Sequence, residues 1–313
     1  MPVWTSPLPR HEPHVKNTLA SDTIANALTV DVEDYFQVSA FESRVSRKRW
    51  DQYECRVVGN TETLLRIFDD AGVRGTFFLL GWVVDRYPEL AMRIAREGHE
   101  LASHGYWHQL VYDLSREEFA DDIRKCHDAI ASVTGVSVKA YRAPSFSITD
   151  RSLWGLRVLA EQGYQVDSSV FPMRGHDRYG FSGGLKQIHQ IKTQSGTLIE
   201  FPPTVGSLFR IPLPVGGGYF RIFPLSVTRK SISDSGTTGQ PAMFYTHPWE
   251  YDPEQPRVDG LPWKSRFRHY TGLKRSTTRL KRLLQLHRFE PMTSIIDSYR
   301  RSNPLQCIDL ASQ

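Results

Sequence analysis

Ser103-His104-Gly105-Tyr106-Trp107-His108 follows the apolar segment His99-Glu100-Leu101-Ala102. That segment reads as a short strand. It puts His104 at the strand end and His108 one turn into the loop or helix beyond. Side chains at i and i+4 share a face there, so both imidazoles can reach one metal ion. An acidic cluster closes an earlier apolar run, Thr29-Val30-Asp31-Val32-Glu33-Asp34. Borderline metals such as zinc take imidazole nitrogen together with carboxylate oxygen and keep one position open for water.

Around these two stretches, β-branched runs alternate with helical patterns. Strands are expected over 27–32, 75–80, 138–142 and 164–166, besides the one ending at His104. Helices are expected over 61–71, with Asn60 as the capping candidate, over 87–97, and over 150–162. Ser115-x-x-Glu118 is a capping box that opens a further helix running to Thr134. Strand–helix–strand units in series imply parallel strands with right-handed crossovers. The fold class is therefore α/β, and the expected closure is an irregular (β/α) barrel. After Gly175 the pattern breaks into Gly- and Pro-rich segments, with a short strand over 197–201, a polar stretch over 231–241 and a last apolar run over 242–245.

The chain has 313 residues, is 40% apolar and carries a net charge of +5. It is neither disordered in composition nor interrupted by a membrane-length apolar run. Residues 1–26 are Pro-rich and polar, without the apolar centre of a secretory signal, and read as a flexible leader. The three cysteines, Cys55, Cys126 and Cys307, are far apart. They make neither a zinc ribbon nor a disulfide framework, so a cytoplasmic protein is expected.

Each expected parallel strand ends in a reactive polar group: Asp31, Glu33 and Asp34 after the first, then His104, Arg142 and Asp167, and His247 after the last. In a (β/α) barrel the C-terminal strand ends carry the active site. In order along the chain, the motifs are Thr29-Val30-Asp31-Val32-Glu33-Asp34, Gly75-Thr76-Phe77-Phe78, Ser103-His104 through His108, Arg142-Ala143-Pro144-Ser145-Phe146, Val166-Asp167-Ser168-Ser169 and Tyr245-Thr246-His247-Pro248-Trp249. This order resembles the polysaccharide deacetylases of carbohydrate esterase family four, the NodB-homology fold. It looks most like the exosortase-associated branch found with exopolysaccharide gene clusters, which has a C-terminal extension. The resemblance implies a NodB-type barrel of about seven strands over 27–250 and a basic extension over 251–313 packed on it.

The resemblance also implies roles. The reaction would be metal-assisted hydrolysis of an N-acetyl group on an amino-sugar glycan or its lipid-linked precursor. Asp31 would be the general base and Arg142 would orient it and balance its charge. His104 and His108 would be metal ligands with a carboxylate from the first motif. Glu33 shares a strand face with Asp31 and is slightly favoured over Asp34. Zn2+ is the default ion. His247 would be the general acid, with Asp167 as the candidate partner that keeps it cationic. A backbone N–H near Ser145 would face the developing oxyanion. Tyr245 stands where the family usually has Leu, which alters the acyl pocket. Trp107, with Trp82 and Tyr106, could stack on a sugar ring. His189, His269 and His287 carry no partner pattern.

Between Lys264 and Arg288 basic residues interleave with leucines. They read as the solvated face of a packed helix, or as an attraction to a membrane surface or to the pyrophosphate of a lipid-linked glycan. No base-reading motif accompanies them, and no nucleic-acid partner is expected. Two other classes stand beside the deacetylase: a hydrolase of another C–N amide on the same barrel, and a non-catalytic sugar-binding protein.

Overall fold

A computed structural model describes residues 24–173, 180–209 and 211–311, so the expected leader lies almost wholly outside the described residues. The chain opens with β1 (Asn26–Val32), α1 (Val57–Asp70), β2 (Thr76–Leu79), α2 (Gly81–Arg86), α3 (Pro88–Arg96) and β3 (Glu100–Ser103). It continues with α4 (Arg116–Thr134), β4 (Ala140–Tyr141), α5 (Trp154–Glu161) and β5 (Val166–Asp167). Then come β6 (His189–Thr193), β7 (Gly196–Glu200), β8 (Val205–Leu208), β9 (Ile211–Pro214), α6 (Gly217–Ile222), α7 (Leu225–Thr237) and β10 (Met243–Thr246). The C-terminal part holds α8 (Trp263–Tyr270), α9 (Leu273–Leu286), β11 (Phe289–Glu290), α10 (Met292–Ser302) and β12 (Cys307–Asp309).

The main sheet runs β10-β1-β2-β3-β4-β5-β7-β6-β12. From β10 to β7 every pairing is parallel, which puts all of those strand C-termini at one rim. This is the irregular α/β barrel expected from the sequence. Its closing side is bridged rather than laddered. Thr204, just past β7, accepts the Met243 N–H on its Oγ1 at 2.7 Å, and Gly216 makes a lone bridge to Tyr245. The strands read as continuous apolar runs because helices cover them, and all seven residues of β1 are buried.

Several elements differ from expectation for local reasons. The first crossover helix starts at Val57, ahead of Asn60, because a carboxylate from another part of the chain caps it. The expected helix over 87–97 forms as Pro88–Arg96 with Pro88 at its first position, and Tyr87 separates it from a short helix, Gly81–Arg86, that was not expected. The capping box at Ser115 forms as read, with Glu118 N–H on Ser115 Oγ at 3.2 Å and Ser115 N–H on Glu118 Oε2 at 2.8 Å. Part of the polar stretch over 231–241 is the second half of α7, whose buried side is mostly small and polar: Thr228, Ser231 and Ile232. Little apolar periodicity marks such a helix in sequence.

The C-terminal extension is tied into the sheet itself. β11 pairs with β1, and β12 pairs with β6. On α9 the leucines at 273, 280, 283 and 284 are buried, while Lys274, Arg275, Lys281 and Arg282 face solvent. Arg279 bends back to donate to the carbonyls of Phe220, Arg221 and Phe223 at 2.8–2.9 Å, satisfying the end of α6. Among the described residues no helix is long and apolar enough to cross a membrane.

His99 carries a pH signature of this packing. It sits between Phe77 and Phe68, with its Nδ1 accepting the Gly75 N–H at 3.2 Å. Burial, then the charge of Arg74, pushes its imidazole down to about 4 from 6.5. Between those values the unfolded chain binds a proton that the folded chain refuses, so stability falls as pH drops from 6.5 toward 4. His99→Asn removes the titrating group. Urea unfolding at pH 7 and pH 5 should show a loss of stability on acidification that is smaller in the variant by roughly 1–2 kcal/mol.

Candidate metal centre and active site

The site lies at the rim where the parallel strands end. β1 delivers Asp31, and a turn closed by the Glu33 N–H on Asp31 O (3.0 Å) brings Glu33 to the same side. β3 hands over to His104, whose N–H still bonds Leu79 O at 2.9 Å. The loop to His108 is pinned by Asp122 of α4, which accepts the N–H groups of Tyr106 (2.8 Å) and Trp107 (3.0 Å). Gly105 is required there. Its φ is +76°, and a Cβ would stand 2.6 Å from Asp122 Oδ2. Arg47 closes the other side, donating to the carbonyls of Trp107 and His108.

Glu33, His104 and His108 each present a ligand atom within 4.8 Å of the others, and all three are buried. Their surroundings fit a cation. His104 Nδ1–H donates to Arg142 O at 2.8 Å, which leaves Nε2 as a bare lone pair aimed at the site. Burial holds the His104 imidazole down at about 4, so it is neutral at pH 7. His108 Nε2 and Glu33 Oε2 face each other at 2.6 Å, and Glu33 Oε2 is otherwise without a hydrogen-bond partner. Two acceptors at that distance need a proton or a metal ion between or beside them. Glu33 Oε1 receives the Trp249 indole N–H at 3.0 Å, which fixes the carboxylate's orientation. Burial alone would raise the Glu33 carboxyl, but the imidazoles of His108, His247 and His104 outweigh it and hold it far below the usual range.

Asp31 lies beside this cluster. Arg142 Nη1 donates to its Oδ1 at 2.6 Å, and the guanidinium is wholly buried. The rest of the guanidinium is used by Thr29 Oγ1, Ser168 O and Ser168 Oγ. Oδ2 of Asp31 faces His247 Nε2 at 3.8 Å, and Glu33 Oε1 is equally far from that nitrogen. Behind His247, Glu250 Oε2 lies 3.4 Å from Nδ1. Burial pushes the His247 imidazole down. Glu250 in the first place, then Glu33 and Asp31, raise it to about 9. Glu250 itself is held at about 2: burial raises it, and Arg221, paired at 2.8 Å, and His247 lower it.

Three expected site residues stand elsewhere. Asp34 points away from the imidazoles and caps α1, accepting the N–H groups of Arg56 (2.6 Å) and Val57 (2.8 Å). It also takes the Tyr35 N–H and the Cys55 thiol. The turn after β1 that brings Glu33 in sends the next side chain out. Asp167 does not partner His247. It accepts the Ser169 hydroxyl at 2.6 Å and lies against Glu200; burial pushes both carboxyls up, and the neighbouring Asp167 raises Glu200 further. Trp107 does not line the cavity. It packs on Trp50 and Tyr106 with the Lys125 amine above it.

Ser145 and Tyr245 do line the cavity of about 390 Å³ that holds Asp31, Glu33 and the three histidines. Ser145 sits at φ +52°, an uncommon conformation for a residue with a side chain, and its hydroxyl donates to Ser39 Oγ at 2.9 Å. The Tyr245 ring packs edge-on against Phe146 at 4.9 Å. Five contributors carried little or no sequence signal. Glu250 was visible only as an acid three residues after His247. Arg221 and the glycines at 217 and 218 sit in a Gly-rich stretch. His269 stacks on Trp249 at 4.1 Å from α8, and Trp249 stacks on His247 at 5.3 Å.

Two family models cover most of the chain. Residues 50–166 match polysaccharide deacetylase, and residues 168–297 match a domain of unknown function, DUF3473. A peptidoglycan-N-acetylglucosamine deacetylase of Bacillus cereus is 30% identical over 107 residues, 34% of this chain and 38% of that protein. A chitin deacetylase of Arthroderma benhamiae is 35% identical over 116 residues, 35% of this chain and 30% of that protein. The chain thus spans well under two thirds of these relatives. A Mycobacterium smegmatis crystal structure, solved as a candidate polysaccharide deacetylase, superposes with a TM-score of 0.60 at 20% identity over 94% of this chain and 97% of that one. That likeness establishes a shared fold.

The position of Asp34 gives a clean test. Asp34→Ala strips the start of α1 of a carboxylate that takes two of its N–H groups, and should destabilise the protein by roughly 2–4 kcal/mol in urea unfolding. Its divalent-metal content, measured on the folded protein, should equal that of the parent. Loss of metal with unchanged stability would reverse the assignment between Asp34 and Glu33.

Proposed function

Since the chain carries a polysaccharide deacetylase domain, we propose that it removes acetyl groups from the N-acetylated amino sugars of a glycan in exopolysaccharide biosynthesis, using a divalent metal ion. The observation that carries this reading is the convergence of Glu33, His104 and His108 within 4.8 Å beside the Asp31–Arg142 pair and His247. Glu33, His104 and His108 would hold the ion, and zinc suits two imidazoles and one carboxylate. When bound there, the ion supplies Lewis-acid polarisation to water and to the acetamide carbonyl.

The chain's own residues divide the proton work. Arg142 occupies Oδ1 of Asp31 and leaves Oδ2 toward the cavity, where it accepts a proton from the attacking water. His247, kept protonated by Glu250, gives a proton to the departing nitrogen. The amide thus becomes acetate and a free amine. Phe146 and Tyr245 form an apolar floor against which the acetyl methyl fits. Tyr245 makes that floor flatter and more polar than an aliphatic residue would. Residues 27–250 form the catalytic barrel, with 251–313 as an extension tied in through β11 and β12. Unpaired Cys55, Cys126 and Cys307 are compatible with a reducing compartment, and the proposed reaction takes place in the cytoplasm.

Two substitutions separate the roles. Asp31→Asn should retain a full equivalent of zinc but lower acetate release from chitotetraose by roughly 10²–10⁴-fold. His104→Ala should lose the zinc, read by inductively coupled plasma mass spectrometry after gel filtration. Wild-type protein that binds no divalent ion would end the proposal, and full turnover by the Asp31 variant would remove that residue as the base.

A further inference from the structure

The far wall of the cavity comes from α8 and from the glycine strip that opens α6. Lys264 and Arg268 stand at i and i+4 on α8, on one face, and both line the cavity that contains Asp31, Glu33 and His247. Two consecutive glycines allow the approach. A Cβ on Gly217 would lie 3.4 Å from His247 Cε1, and one on Gly218 would lie 3.5 Å from Arg268 Cγ. His247 and the stem of Arg268 thus each stand against a glycine of one strip, and both line the same cavity.

These two cations differ from every other charge in the cavity. Asp31 is matched by Arg142, Glu33 faces imidazoles, and Arg221 is matched by Glu250. Among the described residues, neither Lys264 nor Arg268 has an ion pair. Elsewhere along the basic tail, Lys281 and Arg288 have acidic neighbours, and Arg279 is spent on backbone carbonyls. Two unmatched cations in a concave wall concentrate positive potential where the substrate must sit. A neutral glycan leaves that potential unanswered. A guanidinium next to an ammonium suits a carboxylate or a phosphate, which it binds by charge-assisted hydrogen bonds.

On the deacetylase reading of this site, we infer that the substrate is an anionic amino-sugar glycan, whose carboxylate or phosphate lies next to the N-acetyl group that is cut and is held by Lys264 and Arg268. The anion has two chemical sources, an acidic sugar residue or a sugar phosphate. A phosphate attached to a lipid carrier falls in the second class.

Calorimetry on full-length, zinc-loaded Asp31→Asn protein tests this without turnover. Three probes are compared: chitotetraose, which is neutral; a hyaluronan tetrasaccharide, in which N-acetylglucosamine alternates with a uronate; and N-acetylglucosamine 1-phosphate. At least one anionic probe should bind roughly 10- to 100-fold tighter than chitotetraose. That margin should shrink as sodium chloride is raised. It should disappear in Lys264→Gln/Arg268→Gln, while chitotetraose binding stays as it was. Whether the uronate or the phosphate probe shows the margin identifies the source. The inference is overturned if chitotetraose binds as tightly as both anionic probes, if neither anionic probe binds, or if the double variant binds all three as the parent does. Acetate release by the wild-type protein reads the underlying activity separately. If no probe is hydrolysed while the anion-dependent margin persists, the hydrolase reading fails and the anion site stands.

Discussion

A guanidinium with no exposed surface sits at the centre of the barrel. Burying such a charge is expensive unless it is paired and its hydrogens are satisfied. Arg142 meets that demand with groups from three strand regions: Asp31 and Thr29 on β1, the Ser168 hydroxyl and carbonyl just past β5, and the Met243 sulfur on β10. Phe78 of β2 lies under its face at 4.1 Å. Moving any of these strands by one residue would strand a charge. The register of the sheet and the orientation of Asp31 are therefore fixed by the same contact, and the metal-ligand cluster inherits its geometry. His104 is oriented by the carbonyl of this very arginine.

The sequence made the rim legible because parallel strands followed by helices can only deliver their last residues to one side. His104, Arg142 and His247 were each marked by position at the end of an apolar run, His108 by its spacing from His104, and they converge. The readings that failed were those that needed a direction rather than a position. Glu33 and Asp34 are adjacent, and only the turn after β1 decides that the first faces the imidazoles while the second reaches back to α1. Asp167 ends β5, as expected, but the neighbouring Glu200 on β7 claims it. Trp107 lies between the two ligand histidines in sequence, yet the bonds that pin the loop to Asp122 turn its ring toward Trp50. None of these choices leaves a trace in periodicity or composition.

The second half of the chain was harder to read for a different reason. Its functional contributions come from residues whose roles exist only across long separations. Arg221 on α6 donates to Glu250, and through the carbonyls of Arg268, His269 and Thr271 it also holds the end of α8. His269 then stacks on Trp249, and Trp249 both supports His247 and donates to Glu33. A buried polar network of this kind fixes the positions of its members against one another. That makes α6, the Trp249 loop and α8 one unit with the cluster of Glu33, His104 and His108. The extension is a wall of the site, which explains why it is threaded back into the sheet by β11 and β12 instead of trailing from it.

This construction sorts the charges of the cavity into two sets. Carboxylates and imidazoles on the barrel side balance one another closely, which suits the divalent cation and proton transfers proposed for it. The opposite wall, built by α8, carries Lys264 and Arg268 and offers them no acid. Loops and appended helices are free to vary around a rigid rim, and they are where a barrel of this kind sets what it accepts. On the proposed reading the chemistry is written in β1, β3, β4 and β10, while selection among glycans falls to α8. The positive sign of that wall favours a ligand of opposite sign, so on the inferred reading entry and recognition are served by the same two side chains.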